Sequence, residues 1–138
     1  MKKNKIIITG GAGFVGSNLV SFFLKKTNLK IISLDNYSSG NRKNHIKNSR
    51  VKYIKADTKD IEKYLNNPNT INAIFHFGEF SRIYQSFIHM NKCIQSNSIG
   101  TNAVFDFCLK NKIKLIYSAT SASSVSYTHL TLPTTVRV

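Results

Sequence analysis

At 138 residues, with an ordinary 41% hydrophobic content, the chain is one domain or part of one. Its net charge of +14 invites a nucleic-acid reading, but the lysines are scattered rather than gathered in a stripe, and they accompany an abundance of Asn and Ile that points to AT-rich coding; no nucleic-acid partner is expected. No apolar run reaches the length of a membrane span, and Met1-Lys-Lys-Asn-Lys5 leads into a strand rather than a signal peptide, so a cytoplasmic protein without a membrane partner is expected.

The unbroken apolar run within Lys5 to Thr9 predicts a first strand buried on both faces of a parallel sheet. It ends in a turn carrying Gly10, Gly13 and Gly16, and Phe14, Val15, Leu19, Val20, Phe23 and Leu24 follow at helical spacing. Strand, glycine turn and helix form the context a dinucleotide site needs. Gly10 turns the chain tightly, Gly13 lets the backbone approach a pyrophosphate, and Gly16 lets the helix pack closely. The helix N-terminus, with its free N–H groups, would face the phosphates, which places Phe14 and Val15 beside the cofactor. Thr27-Asn28 ends this helix.

Lys30 to Leu34 predicts the second strand, closing at Asp35, nineteen residues past Gly16. A carboxylate there is placed to accept from the adenosine ribose hydroxyls and to repel a 2′-phosphate, which favours NAD over NADP. Asn36 to Asn44 is a polar loop suited to the adenosine side. The third strand is Val51 to Lys55, followed by Ala56-Asp57-Thr58. Asp57 either accepts from the adenine amino group or caps a short helix over Lys59 to Leu65.

Ile71 to Phe77 predicts the fourth strand, running into Gly78, where a glycine again permits close approach to a ligand. His76 reads as a satisfied core residue rather than a catalyst. Helices are predicted over Ile83 to Met90 and Lys92 to Lys110, the second burying Ile94, Val104, Phe105, Cys108 and Leu109. Asn97 interrupts that pattern, so its side chain should reach a backbone group or the cofactor. The two cysteines, Cys93 and Cys108, would lie about 22 Å apart on that helix, too far for a disulfide. Lys114 to Tyr117 predicts the fifth strand, ending in the hydroxyl-rich Ser118-Ala-Thr-Ser-Ala-Ser123 at the carboxyl end of the sheet, where chemistry is placed.

The alternation predicts an α/β fold: a Rossmann-type doubly wound parallel sheet with strand order 3-2-1-4-5 and its crevice between the first and fourth strands, truncated after about five strands. An exposed fifth strand at the sheet edge would be an aggregation hazard.

From Lys5 to about Ser123 the chain resembles the extended short-chain dehydrogenase/reductase family, the NAD-dependent nucleotide-sugar epimerases and dehydratases. Thr9-Gly-Gly-Ala-Gly-Phe-Val-Gly16 resembles the cofactor turn, Asp35-Asn36 the ribose-binding pair, and Asp57-Thr58 the adenine contact. Phe75-His-Phe-Gly78 is similar to the segment by the nicotinamide ribose, Asn97-Ser-Ile-Gly-Thr101 to the family's Asn-x-x-Gly-Thr helix, and Ser118-Ala-Thr120 to the segment closing the fifth strand. The resemblance implies NAD as cofactor, a nucleotide-sugar substrate and a homodimer for the full-length parent, with Thr120 contacting the sugar hydroxyl that is oxidised. It also implies a Tyr-x-x-x-Lys pair further on, the tyrosine a general base whose pKa the lysine lowers. Glu79 and Arg82 depart from the family pattern.

No Tyr-x-x-x-Lys occurs in the chain; Tyr127 is followed four residues later by Thr131. Residues 125–138, beginning Val125-Ser-Tyr-Thr-His-Leu130, resemble the translation of a sequencing adapter. They are expected to be a non-native tail behind an incomplete NAD-binding domain over residues 1–124, and no turnover is expected of the chain by itself.

Overall fold

The computed structural model describes residues 2–80 and 83–118. Five strands, β1 (Lys5–Thr9), β2 (Lys30–Asp35), β3 (Val51–Lys55), β4 (Ile71–His76) and β5 (Lys114–Tyr117), form one parallel sheet in the order β3-β2-β1-β4-β5. The predicted topology is therefore the observed one. The order reverses between β1 and β4, opening a crevice at the carboxyl ends of the strands.

The run of isoleucines in β1 is explained by the pleat, which sends successive side chains to opposite faces. Ile7 joins Leu34, Ile74, Val104 and Phe107 on one side of the sheet. Ile6 and Ile8 join Val20 and Ile31 on the other, with Leu19 and Phe23 packed against them. Each of the three isoleucines is at most 2% exposed, so β1 has no solvent face.

Helix α1 (Phe14–Lys26) covers the second face. It ends as the sequence indicates, with the Thr27 hydroxyl and N–H both donating to the Phe23 carbonyl. Its first residues depart from the predicted buried stripe: Phe14 and Val15 are exposed, because at this point the helix overhangs the crevice rather than the sheet.

The segment over Lys59 to Leu65 divides into a 3-10 turn at Thr58–Asp60 and α2 (Ile61–Tyr64). β4 stops at His76, one residue earlier than predicted; the Phe77 N–H makes the last ladder bond, to the Thr9 carbonyl, and also reaches the Thr9 hydroxyl. The first of the two later helices is α3 (Ile83–Ile88), and His89 breaks out of helical geometry behind it. The second is not a regular helix. It comprises α4 (Met90–Ile94), a π-helical turn over Gln95–Gly100, and α5 (Thr101–Asn111).

The π turn adds a residue to the helical repeat and rotates everything after it. Val104 and Cys108 are buried as expected, and Thr101 and Phe107 complete the buried face. Ile94, Phe105 and Leu109, which the sequence pattern assigned to the core, are 46%, 38% and 76% exposed. Phe105 and Leu109 instead share an apolar groove with Leu115 and Tyr117 beside β5, the edge strand of the described sheet. Burial pushes the Cys108 thiol up to about 11.

Candidate functional site

The crevice at the reversal point encloses about 1120 Å³. That slightly exceeds the ~300–1,000 Å³ of common small-molecule sites and suits an elongated ligand. Its centre is the turn after β1. Gly10 adopts φ +73°, and a Cβ there would lie 2.7 Å from the Phe77 carbonyl oxygen. At Gly16 a Cβ would lie 2.7 Å from Gly11 Cα and would also strike the Gly10 carbonyl. The turn is thus pressed between α1 and the end of β4, with no room for side chains at either glycine. Gly13 is the N-cap of α1; no side chain caps it, and the first turn holds no acidic residue. The orphan N–H groups of that turn face the crevice unneutralised, which is the arrangement an anionic pyrophosphate requires.

On the β2 side, Asp35 is 8% exposed and spends one oxygen on each of two backbone donors. Oδ2 accepts from the Ala12 N–H at 2.9 Å and Oδ1 from the Tyr37 N–H at 2.8 Å. The first bond ties the acid to the glycine turn; the lone pairs left over face the crevice. The loop beyond is fastened to the same turn, since Asn41 N–H and the Asn44 side-chain amide both donate to the Ala12 carbonyl. An aromatic stack supports it from behind: His45 lies 3.8 Å from Tyr53, centroid to centroid, and its Nε2 is 2.7 Å from the Tyr37 hydroxyl. Asn36 Nδ2 donates to Asp57 Oδ1 at 2.9 Å. Asp57 occupies the N-cap of the short turn but makes no side-chain capping bond, so its exposed carboxylate holds Asn36 instead.

On the β4 side a chain of hydrogen bonds runs through the floor. Phe77 and Gly78 N–H groups donate to Thr9 Oγ1, leaving its proton for His76 Nδ1 at 2.6 Å. With Nδ1 an acceptor, Nε2 carries the proton and donates to Thr101 Oγ1 at 2.8 Å; the Thr101 hydroxyl then donates to Glu79 Oε2 at 2.6 Å. The Tyr117 hydroxyl donates to the same carboxylate at 3.1 Å. His76 is fully buried, and that burial lowers its pKa, against a smaller upward pull from the Glu79 charge. It is therefore a neutral core histidine, as the sequence reading has it. Burial, followed by the bond to Glu79 and its charge, raises the Tyr117 pKa.

Every predicted cofactor residue except Asn97 lines this crevice. Asn97 accepts from the Phe80 N–H at 2.6 Å and donates to the Phe80 carbonyl at 2.9 Å, which is the backbone alternative of its two expected roles. Ser96 donates to the Gly78 carbonyl, so the π turn clamps the 78–80 loop at both ends. Thr120 and residues 125–138 lie outside the described residues. Glu79 is the crevice residue that sequence reasoning noticed only as a departure; a carboxylate directly after a strand-end glycine was the available signal. Among the described residues, no group of three or more His, Cys, Asp or Glu side chains could hold a metal, and no helix is long and apolar enough to cross a membrane.

A family model described as "NAD dependent epimerase/dehydratase family" matches residues 6–131. The chain belongs to the NAD-dependent epimerase/dehydratase family. NAD is the family's cofactor, and the uncapped helix start, the compressed glycine turn and the buried Asp35 fit it. Among relatives of this family, a dTDP-D-glucose 4,6-dehydratase of Dictyostelium discoideum is 33% identical over 124 residues, covering 84% of this chain and 29% of its own. A putative UDP-glucose 4-epimerase of Methanocaldococcus jannaschii is 30% identical over 122 residues, covering 87% of this chain and 39% of the relative. The solved UDP-N-acetylglucosamine 4-epimerase of Methanobrevibacter ruminantium superposes with a TM-score of 0.75 at 30% identity, over 88% of this chain and 39% of that one. The chain thus spans well under half the length of the family members it matches.

Proposed function

We propose that the chain is the cofactor-binding half of a nucleotide-sugar epimerase or dehydratase that works by transient hydride transfer to NAD. The observation that carries this reading is the direct bond from the Ala12 N–H to Asp35, which joins the phosphate turn and the ribose acid in one rigid unit. In this reading Gly10, Gly13, Phe14, Val15 and Gly16 hold the pyrophosphate, and Asp35 and Asn36 hold the adenosine ribose. Asp57 and Thr58 border the adenine, and Phe77 and Gly78 the nicotinamide ribose. Thr120 is assigned to the sugar hydroxyl being oxidised. Bound there, NAD would supply the hydride acceptor.

The bond network supports the reading that this half binds without turning over. Proton removal from a sugar hydroxyl needs a base poised near neutral pH. His76 is fully buried and turned away into Thr9 and Thr101, and Tyr117 has its pKa raised rather than lowered. The parent's base is assigned to a Tyr-x-x-x-Lys about two dozen residues past Thr120, and the parent is expected to pair as a homodimer in the cytoplasm.

Titrating the 138-residue chain with NADH and following nicotinamide fluorescence tests the cofactor half. Saturable binding with no epimerisation or dehydration of a UDP- or dTDP-hexose is expected. Turnover by the chain alone, or no binding, would overturn the reading. In the uninterrupted gene, a missing Tyr-x-x-x-Lys would favour a non-catalytic NAD-binding sensor instead.

A further inference from the structure

Glu79 is held in an unusual way. Its carboxylate accepts from two neutral hydroxyls, those of Thr101 and Tyr117, and Thr101 is itself fixed by the His76 Nε2 proton. The ion pairs of the described residues are Lys63–Asp60 and Lys110–Glu62, and neither includes Glu79. Lys92 lines the same crevice without pairing with it. The loop that carries Glu79 is immobilised from both sides by the Ser96 and Asn97 bonds to Gly78 and Phe80. A negative charge is therefore built into the crevice wall, and among the described residues the donors that hold it there are neutral hydroxyls.

The geometry of the fold says which part of the cofactor meets that charge. Asp35 and Asp57 occupy the β2–β3 side, where the adenosine belongs, and the phosphates belong at the turn after β1. The remaining end of a dinucleotide must pass over the carboxyl end of β4, where Gly78 leads into Glu79. The nicotinamide ring is a cation when oxidised and neutral when reduced, while ribose and pyrophosphate are the same in both forms. A carboxylate fixed in the crevice wall distinguishes the two by its charge.

We propose that Glu79 sets the redox preference of the site, holding oxidised NAD more tightly than NADH through the charge of the nicotinamide ring. The inference rests on the assignment of this crevice to NAD. It makes Glu79 a specificity-determining residue for the cofactor's oxidation state, independent of the sugar.

The test compares affinities of the 138-residue chain for NAD⁺, by calorimetry, and NADH, by fluorescence. Glu79→Gln should lower the affinity for NAD⁺ about tenfold while leaving NADH within about twofold. Glu79→Asp, which keeps the charge, should largely preserve the ratio. NADH carries one more net negative charge than NAD⁺ and the chain is strongly basic, so salt is read as a difference: rising ionic strength should lower the NAD⁺/NADH affinity ratio more, or raise it less, in the unsubstituted chain than in a variant without the Glu79 charge. Equal weakening of both forms by Glu79→Gln would mean a hydrogen-bonding or purely structural role and would overturn the proposal. If the Gln variant fails to fold, Glu79→Ala removes the same charge, and equal weakening of both forms there would overturn the proposal as well. Failure of the unsubstituted chain to bind either form would remove the site itself.

Discussion

His76 Nδ1 lies 2.6 Å from the hydroxyl of Thr9, joining the last residue of β4 to the last residue of β1 across the reversal point of the sheet. Both residues are fully buried. The pair closes the crevice floor with polar groups whose every partner is internal. Replacing Thr9 with Val keeps the shape but orphans His76 Nδ1 and loses the acceptor for the Gly78 N–H. An unsatisfied buried group costs about 1–3 kcal/mol. Thr9→Val should lower the urea midpoint accordingly with an unchanged denaturant slope, and a midpoint equal to that of the unsubstituted chain would contradict the network.

The same histidine gives the fold a pH dependence. Its pKa is lowered in the folded chain from the ordinary 6.5, with burial the leading cause. Below 6.5 the unfolded chain takes up a proton that the folded chain resists, so stability is complete above that value and declines as pH falls beneath it. Urea midpoints measured at pH 7.5 and 5.5 should differ, with the lower pH less stable. Exchanging His76 for Gln should flatten that difference even though it weakens the fold overall.

Gly16 and the first turn of α1 offer a binding prediction separable from stability of the sheet. A Cβ at Gly16 collides with backbone atoms of Gly10 and Gly11, which cannot yield as a flexible side chain would. Gly16→Val should displace α1 from the turn and weaken NADH binding more than tenfold, roughly 1.4 kcal/mol or more. Asp35→Asn tests the opposite wall. An amide can still accept from one of the two backbone N–H groups but repels a 2′-phosphate no longer. The ratio of NAD to NADP affinity should fall, and a preserved ratio would assign the discrimination elsewhere in the loop.

The groove of Phe105, Leu109, Leu115 and Tyr117 leaves apolar surface at the edge of the sheet. Leu109 is 76% exposed and contributes little to the core, so Leu109→Lys should change stability by less than about 0.5 kcal/mol. It should also raise the concentration at which the chain begins to self-associate in light scattering, since charge beside the edge strand of the described sheet opposes pairing. No change in onset would mean that association proceeds through another surface.

Much of this fold was legible because its signals are local. Gly10 to Gly16 lie within one turn, Ile6 to Ile8 advertise a strand with two buried faces, and Asp35 is read by its distance along the chain from Gly16. The strand order followed from those units. The His76 relay was not legible, since its partners lie 67 and 25 residues away, and only the packed sheet brings them into line. The core face of α5 was misread for a different reason. Val104 and Cys108 are buried as expected, but a pattern of adjacent apolar residues does not say which flank of that stripe turns inward, and Thr101 and Phe107 took the place given to Phe105 and Leu109. Asn97 drew notice as a polar interruption, and the interruption marks where the phase slips.

That slip has a further consequence. Because the turn over Gln95–Gly100 is one residue wider than its neighbours, Ser96 and Asn97 hold the 78–80 loop while Thr101 and Val104, a turn later, face the sheet. One continuous helical rod thereby serves two surfaces that a uniform helix could not address together. Removing a single residue between Gln95 and Gly100 would put the two halves out of gear at once.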